Sequence, residues 1–200
     1  MAQRAPRRQR QPEASRSGIL DAALACFTER GYYQTSIDAI AARAGLSKGA
    51  IYWHFAGKRE LFLALVDRAQ EAAEPLAQAV ADAPDWRAAL AVVFTHVPQR
   101  LEHELPLVRV SLEFISHGAS DEGIRERAER KVERWTEVFG EQLERGVAAG
   151  ELHPIAAREL LMVIGCAISG LMLAKISQPD ADLAPVWRAA EEIFARGMRA

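Results

Sequence analysis

Apolar residues along the chain recur at intervals of three and four positions, which is the spacing of one face of an α-helix. The first such run lies at residues 15–30, where Ile19, Ala23 and Phe27 stand four apart with Leu20 beside Ile19. No segment alternates apolar and polar residues in the way that a half-buried β-strand does. The pattern therefore predicts an all-α fold.

Glycine, proline and capping residues divide this pattern into about nine helices. Gly31 directly follows the first run, where a helix-ending glycine is expected, and Thr-Ser-Ile-Asp at residues 35–38 is a capping sequence for the second helix. The predicted helices cover 15–30, the capping sequence through Ala44, 48–55, 58–80, 87–103, 106–117, 121–149, 155–177 and 183–199.

Two of the short helices are joined by the three-residue turn Gly45-Leu46-Ser47. A helix-turn-helix needs a turn glycine that tolerates an unusual backbone angle, which Gly45 provides. Leu46 and Ile51 are apolar side chains that can fill the angle between the two helices, and Ser47 is a suitable cap for the second. The spacing therefore predicts a DNA-binding helix-turn-helix supported by the preceding helix.

The charge distribution agrees with a DNA-binding function at one end of the chain. The net charge of the whole chain is −2, but residues 1–60 contain ten Lys/Arg and five Asp/Glu, a net of +5, and residues 61–200 carry −7. A basic amino-terminal third on an acidic body indicates that one end meets a polyanion. The arginine-rich arm at residues 1–14 is expected to be disordered in isolation, and whether it contacts DNA stays open.

Residues 16–65 resemble the DNA-binding region of the tetracycline-repressor (TetR) family. The matching residues are Ile19-Leu20-x-Ala22-Ala23-x-x-x-Phe27, Gly31-Tyr32-x-x-Thr35-Ser36, Ile40-Ala41-x-x-Ala44-Gly45-x-Ser47-Lys48-Gly49-x-Ile51-Tyr52-x-His54-Phe55 and Lys58-x-x-Leu61. The resemblance implies three parts: the basic arm at 1–14, a three-helix DNA-binding domain at 15–57, and a helical effector-binding and dimerisation domain at 58–200. Beyond residue 65 it covers only length, helix count and the closing pair of helices.

The resemblance also implies which residues contact double-stranded operator DNA. Lys48 to Phe55 would be the recognition helix, lying in the major groove. The implied contacts with the DNA backbone come from Thr35, Ser36, Ser47, Gly49, Tyr52, His54 and Lys58. The candidates for reading base edges are Lys48, Ala50 and Trp53. The alternatives are that Tyr52 packs in the core and that His54 is an ordinary half-exposed histidine; Trp53 departs from the residue most expected at its position.

The helix around residues 160–172 is apolar nearly all round, so it must be covered on every side. The resemblance implies that the last two helices of each subunit form a four-helix dimer interface; the alternative is a core helix within one subunit. The predicted interface residues are Leu161, Gly165, Ile168, Ser169, Met172, Val186, Trp187, Ala190, Ile193 and Phe194.

A small-molecule effector is expected to bind within the carboxyl-terminal domain. The predicted lining residues are Trp86, Phe94, Phe114, Trp135, Phe139 and Met162, with His96, Arg109, Glu113 and His117 as polar tethers. Their apolar bias indicates a hydrophobic effector. The alternative for each of these residues is ordinary core packing.

These features predict a cytoplasmic, homodimeric transcriptional repressor that an apolar effector releases from a palindromic operator, the alternative being a ligand-independent or activating regulator. No catalytic motif and no cofactor or metal site is expected, because the five histidines lack ligand spacing. Cys26 and Cys166 are interpreted as small buried apolar residues. The apolar stretch from Leu160 to Ala174 is shorter than the roughly 20 residues that span a membrane, so no membrane partner is expected.

Overall fold

The computed structural model describes residues 12–116, 121–154 and 156–200 of the 200-residue chain. His117 and residues 1–11 of the predicted arm lie outside these ranges. The described residues form helices throughout and contain no strand, which confirms the all-α fold. The helices are α1 (Pro12–Arg30), α2 (Ile37–Ala44), α3 (Lys48–His54), α4 (Lys58–Ala81), α5 (Trp86–Ser116), α6 (Glu122–Ala148), α7 (Ala157–Ser177) and α8 (Ala184–Gly197).

The predicted break between helices at 87–103 and 106–117 is wrong. The two segments are one helix, α5, which continues through Pro98 and Pro106. Proline removes a single main-chain hydrogen bond and kinks a helix without always ending it. Here Phe94, before the prolines, and Phe114, after them, are both buried, and we attribute the continuity of α5 to this packing on either side.

The chain divides into two compact units, Met1–Leu65 and Val66–Ala200, with the boundary inside α4. In the first unit, the face of α1 that carries Ile19 and Phe27 is buried together with Ile40 of α2, Ile51 of α3 and the first turns of α4. The apolar face predicted for α1 is therefore in the core. Because these helices share one core, α3 is held at a fixed place on the surface of this unit.

The second unit has two apolar clusters. One is built around Trp86, Phe94 and Trp187, and the other around Val80, Val93 and Phe139. Gln142, on α6, lies buried beside the second cluster and donates through Nε2 to the carbonyl oxygens of Val80, Ala81 and Ala83. These carbonyls belong to the end of α4 and the residues after it, where a helix leaves acceptors unpaired.

Charged side chains join α6 to the part of α4 that lies in the second unit. The Arg127 guanidinium binds both carboxylate oxygens of Asp67, each at 2.7 Å. Seven residues further along both helices, Arg134 pairs with Glu74. The two ion pairs occur in the same order along both helices, so α4 and α6 run in the same direction.

Candidate nucleic-acid interface

The turn between α2 and α3 has the backbone that the sequence predicts. Gly45 adopts φ +65° and ψ +33°, the left-handed region that glycine reaches at little cost, and its N–H donates to the carbonyls of Ala41 and Ala42. Ser36 caps α2 by accepting from the Ala39 N–H, and Ser47 caps α3 by accepting from the Ala50 N–H, each at 3.2 Å. Both helix starts are thereby fixed by side chains on the surface.

One face of α3 is buried and the opposite face is exposed. Ile51 and Phe55 are fully buried in the first unit, whereas Tyr52 is 49% exposed and Trp53 is 72% exposed. The alternative in which Tyr52 fills the core is therefore wrong. Tyr52 and Trp53 thus place two aromatic side chains next to each other on the surface of the first unit.

Gly49 stands in the first turn of α3, and this fold does not require a glycine there. A Cβ added at Gly49 would meet only the Ser47 Oγ, at an ordinary 3.9 Å. The space around Gly49 would therefore admit a side chain, and its absence leaves the α3 backbone accessible at this turn. Ala50, which follows, is half-buried.

Lys48, at the first position of α3, is paired with a residue that the sequence analysis did not include in the site. Its Nζ lies 2.8 Å from the Asp38 Oδ2 on α2, and both side chains are at least half exposed. This hydrogen bond, and then the charge of Asp38, raise the pKa of Lys48, so the ammonium stays charged. Asp38 lies in the first turn of α2, ten residues before Lys48. The sequence gave no indication of this pairing, because an acidic residue at a helix start is favourable by itself.

The structure corrects the expectation for Thr35. Its side chain is only 3% exposed, and its hydroxyl donates to the carbonyl oxygens of Cys26 and Gly31, at 3.1 and 2.7 Å. The hydroxyl therefore holds the α1–α2 connection together and does not face outward. Ser36, the next residue, is exposed.

Lys58 also differs from its expected role. Its Nζ donates to the carbonyl oxygens of Tyr32, Tyr33 and Thr35, at 2.8, 3.1 and 3.0 Å, and it lies 4.5 Å from the centre of the Tyr32 ring. Three carbonyls match the three N–H donors of an ammonium. Lys58 therefore fixes the loop between α1 and α2, and none of its donors is left over to clamp a phosphate.

His54 and Tyr33 complete the exposed side of this unit. His54 is half-buried and packs its ring edge-to-face against Trp53, with the centroids 4.5 Å apart. Tyr33 is exposed and was missed by the sequence analysis; an aromatic pair directly after Gly31 was the available signal. Glu29 and Arg43 form an exposed ion pair at 2.6 Å, and the hydrogen bond from Arg43 lowers the pKa of Glu29.

Four of the residues predicted to line an effector pocket are divided between the two apolar clusters of the second unit. Trp86 and Phe94 are buried in the first apolar cluster of the second unit, and Phe139, with half-buried Trp135 packed against it, belongs to the other. Phe114 is buried and Glu113 is half-buried.

Three of the predicted effector contacts are on the surface. Met162 is 55% exposed, and His96 and Arg109 are exposed as well, with the His96 Nδ1 2.8 Å from the Val92 carbonyl oxygen. These three residues are therefore not part of the buried interior of the second unit, because helical spacing gives a face but not the direction in which that face points.

Most of the exposed large apolar side chains of the second unit lie on α7 and α8. The exposed large side chains there are Met162, Val163, Leu173, Val186 and Ile193. Gly165, Ser169 and Cys166 are exposed as well, and a Cβ added at Gly165 would meet nothing within 4 Å. Of the other predicted interface residues, Leu161, Ile168, Ala190 and Phe194 are half-buried.

Three expectations for α7 and α8 are wrong. Trp187 and Met172 are buried within the subunit, and the Trp187 ring packs edge-to-face against Phe94 with the centroids 6.1 Å apart. They belong to the core of the second unit. Cys166 was interpreted as buried but is exposed, whereas Cys26 is buried as expected. For Met172 and Cys166 the reason is that α7 is apolar nearly all round, so the sequence does not identify its inner face. α8 has one broad apolar face, and Trp187 lies on the part of that face that packs into the core.

The capped helices, the left-handed glycine between them and the exposed face of α3 define a helix-turn-helix protein. Residues 19–65 match the family described as bacterial regulatory proteins, tetR family. The HTH-type transcriptional regulator SrpR of Pseudomonas putida is 30% identical over 144 residues, which are 70% of this chain and 64% of SrpR. The chain thus spans less than two thirds of that relative's length.

Two solved structures resemble the whole chain. NalD, the secondary repressor of the MexAB-OprM multidrug efflux pump in Pseudomonas aeruginosa, is 27% identical with a TM-score of 0.71, over 94% of this chain and 96% of NalD. SmeT, the repressor of the Stenotrophomonas maltophilia multidrug efflux pump SmeDEF, is 25% identical with a TM-score of 0.71, over 94% of this chain and 92% of SmeT. The chain belongs to the TetR family.

Proposed function

We propose that this protein is a transcriptional repressor that binds operator DNA through α3. The observation that carries the proposal is the exposed face of a helix whose opposite face is fully buried: Tyr52 and Trp53 point outward while Ile51 and Phe55 anchor the helix. A helix held out in this way suits the major groove of B-DNA, which is wide enough to admit it. Residues 1–60 also carry the net positive charge of the chain.

We assign the contacts by exposure. Ser36, Ser47 and Tyr52 supply donors to phosphates, and His54 lies beside them. Gly49 lets the α3 backbone approach the DNA. Lys48, Ala50 and Trp53 read base edges: the ammonium suits guanine acceptors, and the alanine methyl and the indole suit thymine methyl groups. Thr35 and Lys58 act indirectly, by holding the loop that leads into α2.

The protein acts as a homodimer that pairs the exposed faces of α7 and α8. By length and composition the 21 residues of α7 would also suit a membrane. However, its Leu160 and Ile164 pack into the core of the second unit, and Arg158 and Lys175 are charged at its ends. A second copy covers the remaining apolar face and allows two α3 helices to engage one palindromic operator in the cytoplasm.

An apolar effector bound in the second unit releases the protein from DNA. SmeT has been solved in complex with triclosan, and that structure is 27% identical to this chain with a TM-score of 0.64. The effector favours a conformer in which α4 has moved, so that effector and operator weaken each other's binding reciprocally, typically by about 1–3 kcal/mol.

Tyr52→Phe tests the phosphate contact. Losing one hydrogen bond to a charged group costs about 1.5–3 kcal/mol, so we expect at least tenfold weaker binding to operator and non-operator duplexes alike. Trp53→Ala is the contrasting variant, since losing a base contact changes the preferred sequence. The operator is first selected from a random duplex pool with the purified chain, and affinities are measured by fluorescence anisotropy. Parental affinity in Tyr52→Phe would contradict the assignment.

Thermal unfolding against a panel of hydrophobic and polar metabolites tests the effector. A ligand at a hundred times its Kd adds about 2.7 kcal/mol to the free energy of unfolding, so a hydrophobic compound is expected to raise the Tm by several degrees. The same compound must weaken operator binding in a titration. A compound that stabilises the protein and leaves operator affinity unchanged would favour the alternative, a ligand-independent regulator or an activator.

A further inference from the structure

A negative side chain stands on the surface that we assign to DNA. Asp38 occupies the first turn of α2, and its side chain is 67% exposed. It lies two positions after Ser36, which we assign to a phosphate. A carboxylate there repels the phosphate backbone, so its presence lowers the affinity of this face for any duplex.

A carboxylate at Asp38 favours the start of α2, but that effect needs no partner and does not explain the pairing with Lys48. Asp38 pairs with Lys48 at 2.8 Å across the helix-turn-helix, and both partners are largely exposed. Exposed ion pairs of this kind contribute little to folding, because solvent screens them and the side chains lose freedom. The pair therefore matters for what it does to the Lys48 ammonium.

The pairing changes what Lys48 offers to DNA. One of its three N–H donors is on Asp38, and two remain for another acceptor. Because Asp38 balances its charge, the ammonium gains little binding energy from a phosphate. Without Asp38 it could bind phosphates in DNA of any sequence. A base edge with two acceptors close together, as in guanine, still offers directed hydrogen bonds.

We propose that Asp38 is a specificity-determining residue, which withholds Lys48 from the DNA backbone and positions its ammonium for a guanine edge. This inference rests on the proposed DNA-binding function. The quantity that reports this role is selectivity, the ratio of operator affinity to non-operator affinity. Removing Asp38 should change this ratio, through Lys48, more than it changes the operator affinity.

Asp38→Asn tests the inference, because asparagine keeps the size and removes the charge. One additional phosphate contact adds about 0.9 to the slope of log affinity against log salt, or roughly eightfold in affinity at 0.1 M salt. For each subunit bound, we expect D38N to bind a non-operator duplex about five to ten times more tightly, with a salt slope steeper by about one. Operator affinity should change less, so the selectivity falls.

Glu29→Gln is the matched control. It also removes one negative charge from the first unit and breaks an exposed ion pair, that of Glu29 with Arg43 at 2.6 Å, but it leaves Lys48 untouched. Lys48→Met completes a double-mutant cycle. If Asp38 acts through Lys48, D38N in the K48M background has no more effect on selectivity than E29Q has in the parent.

The possible outcomes distinguish the role of Asp38 from the proposed DNA-binding function. A lower selectivity in D38N alone, absent in the K48M background, supports it. Equal effects of D38N and E29Q, or an effect of D38N that persists without Lys48, overturn it while the parent still selects an operator. A parent chain that prefers no duplex overturns the proposed function and this inference together.

Discussion

Replacing Ile193 with aspartate is expected to convert the protein to monomers and to remove tight operator binding. Ile193 is 69% exposed on α8, and in a two-fold interface the change occurs twice. A central interface residue contributes about 2–4 kcal/mol, so the dimerisation constant should fall by at least about a thousandfold. Sedimentation at micromolar protein, followed by operator titration, measures both effects.

The control for this change is Leu112→Asp. Leu112 is also an exposed large apolar residue of the second unit, but it lies on α5. It should leave both the dimer and operator binding intact. Gly165→Leu is a second interface variant, because a Cβ added there meets nothing within 4 Å in its own subunit, so a larger side chain is expected to obstruct a partner. An Ile193→Asp protein that dimerises like the parent would refute the assigned interface.

Replacing Lys58 with methionine is expected to destabilise the first unit. The three carbonyls that the ammonium binds would lose their donor, and hydrogen bonds to charged groups contribute about 1.5–3 kcal/mol each without adding fully. We expect the free energy of unfolding to fall by about 3 kcal/mol. Operator affinity should fall as well, with the salt dependence of binding unchanged, because no phosphate contact is lost. Calorimetry and salt titration measure the two effects.

Arg30→Met is the control for the loss of a positive charge in the same unit. Arg30 is an exposed residue in the last turn of α1, and its replacement should leave the unfolding free energy nearly unchanged. Lys58→Met could instead leave the stability unaltered and make the salt slope flatter by about one per subunit. That result would support the phosphate contact that the sequence analysis expected and contradict the structural role.

The first unit was predictable because its signals are local. Ser36, Gly45 and Ser47 act on backbone within a few residues of themselves, so their spacing alone predicts the helix starts and the turn. Ile51 and Phe55 stand four apart and share the buried face, which leaves Tyr52 and Trp53 outside.

The errors concern contacts between distant residues. Lys58 binds carbonyls 23 to 26 positions earlier, and no helical period encodes that reach. Met162 stands on a helix that is apolar nearly all round, and Trp187 stands on a broad apolar face of which only part is buried. Periodicity therefore left open which residues enter the core. The proline at 106 was overestimated as a break, because burial of Phe114 beyond it depends on the tertiary fold.

The central claim is that α3 enters the major groove as one of a pair. Chemical footprinting of the operator selected from random duplexes tests it most directly. We predict two protected major-groove segments on one face of the DNA, with centres about one helical turn, roughly 10–10.5 base pairs, or a multiple of it apart. Enrichment of no duplex at low salt, or protection confined to the minor groove, would contradict it.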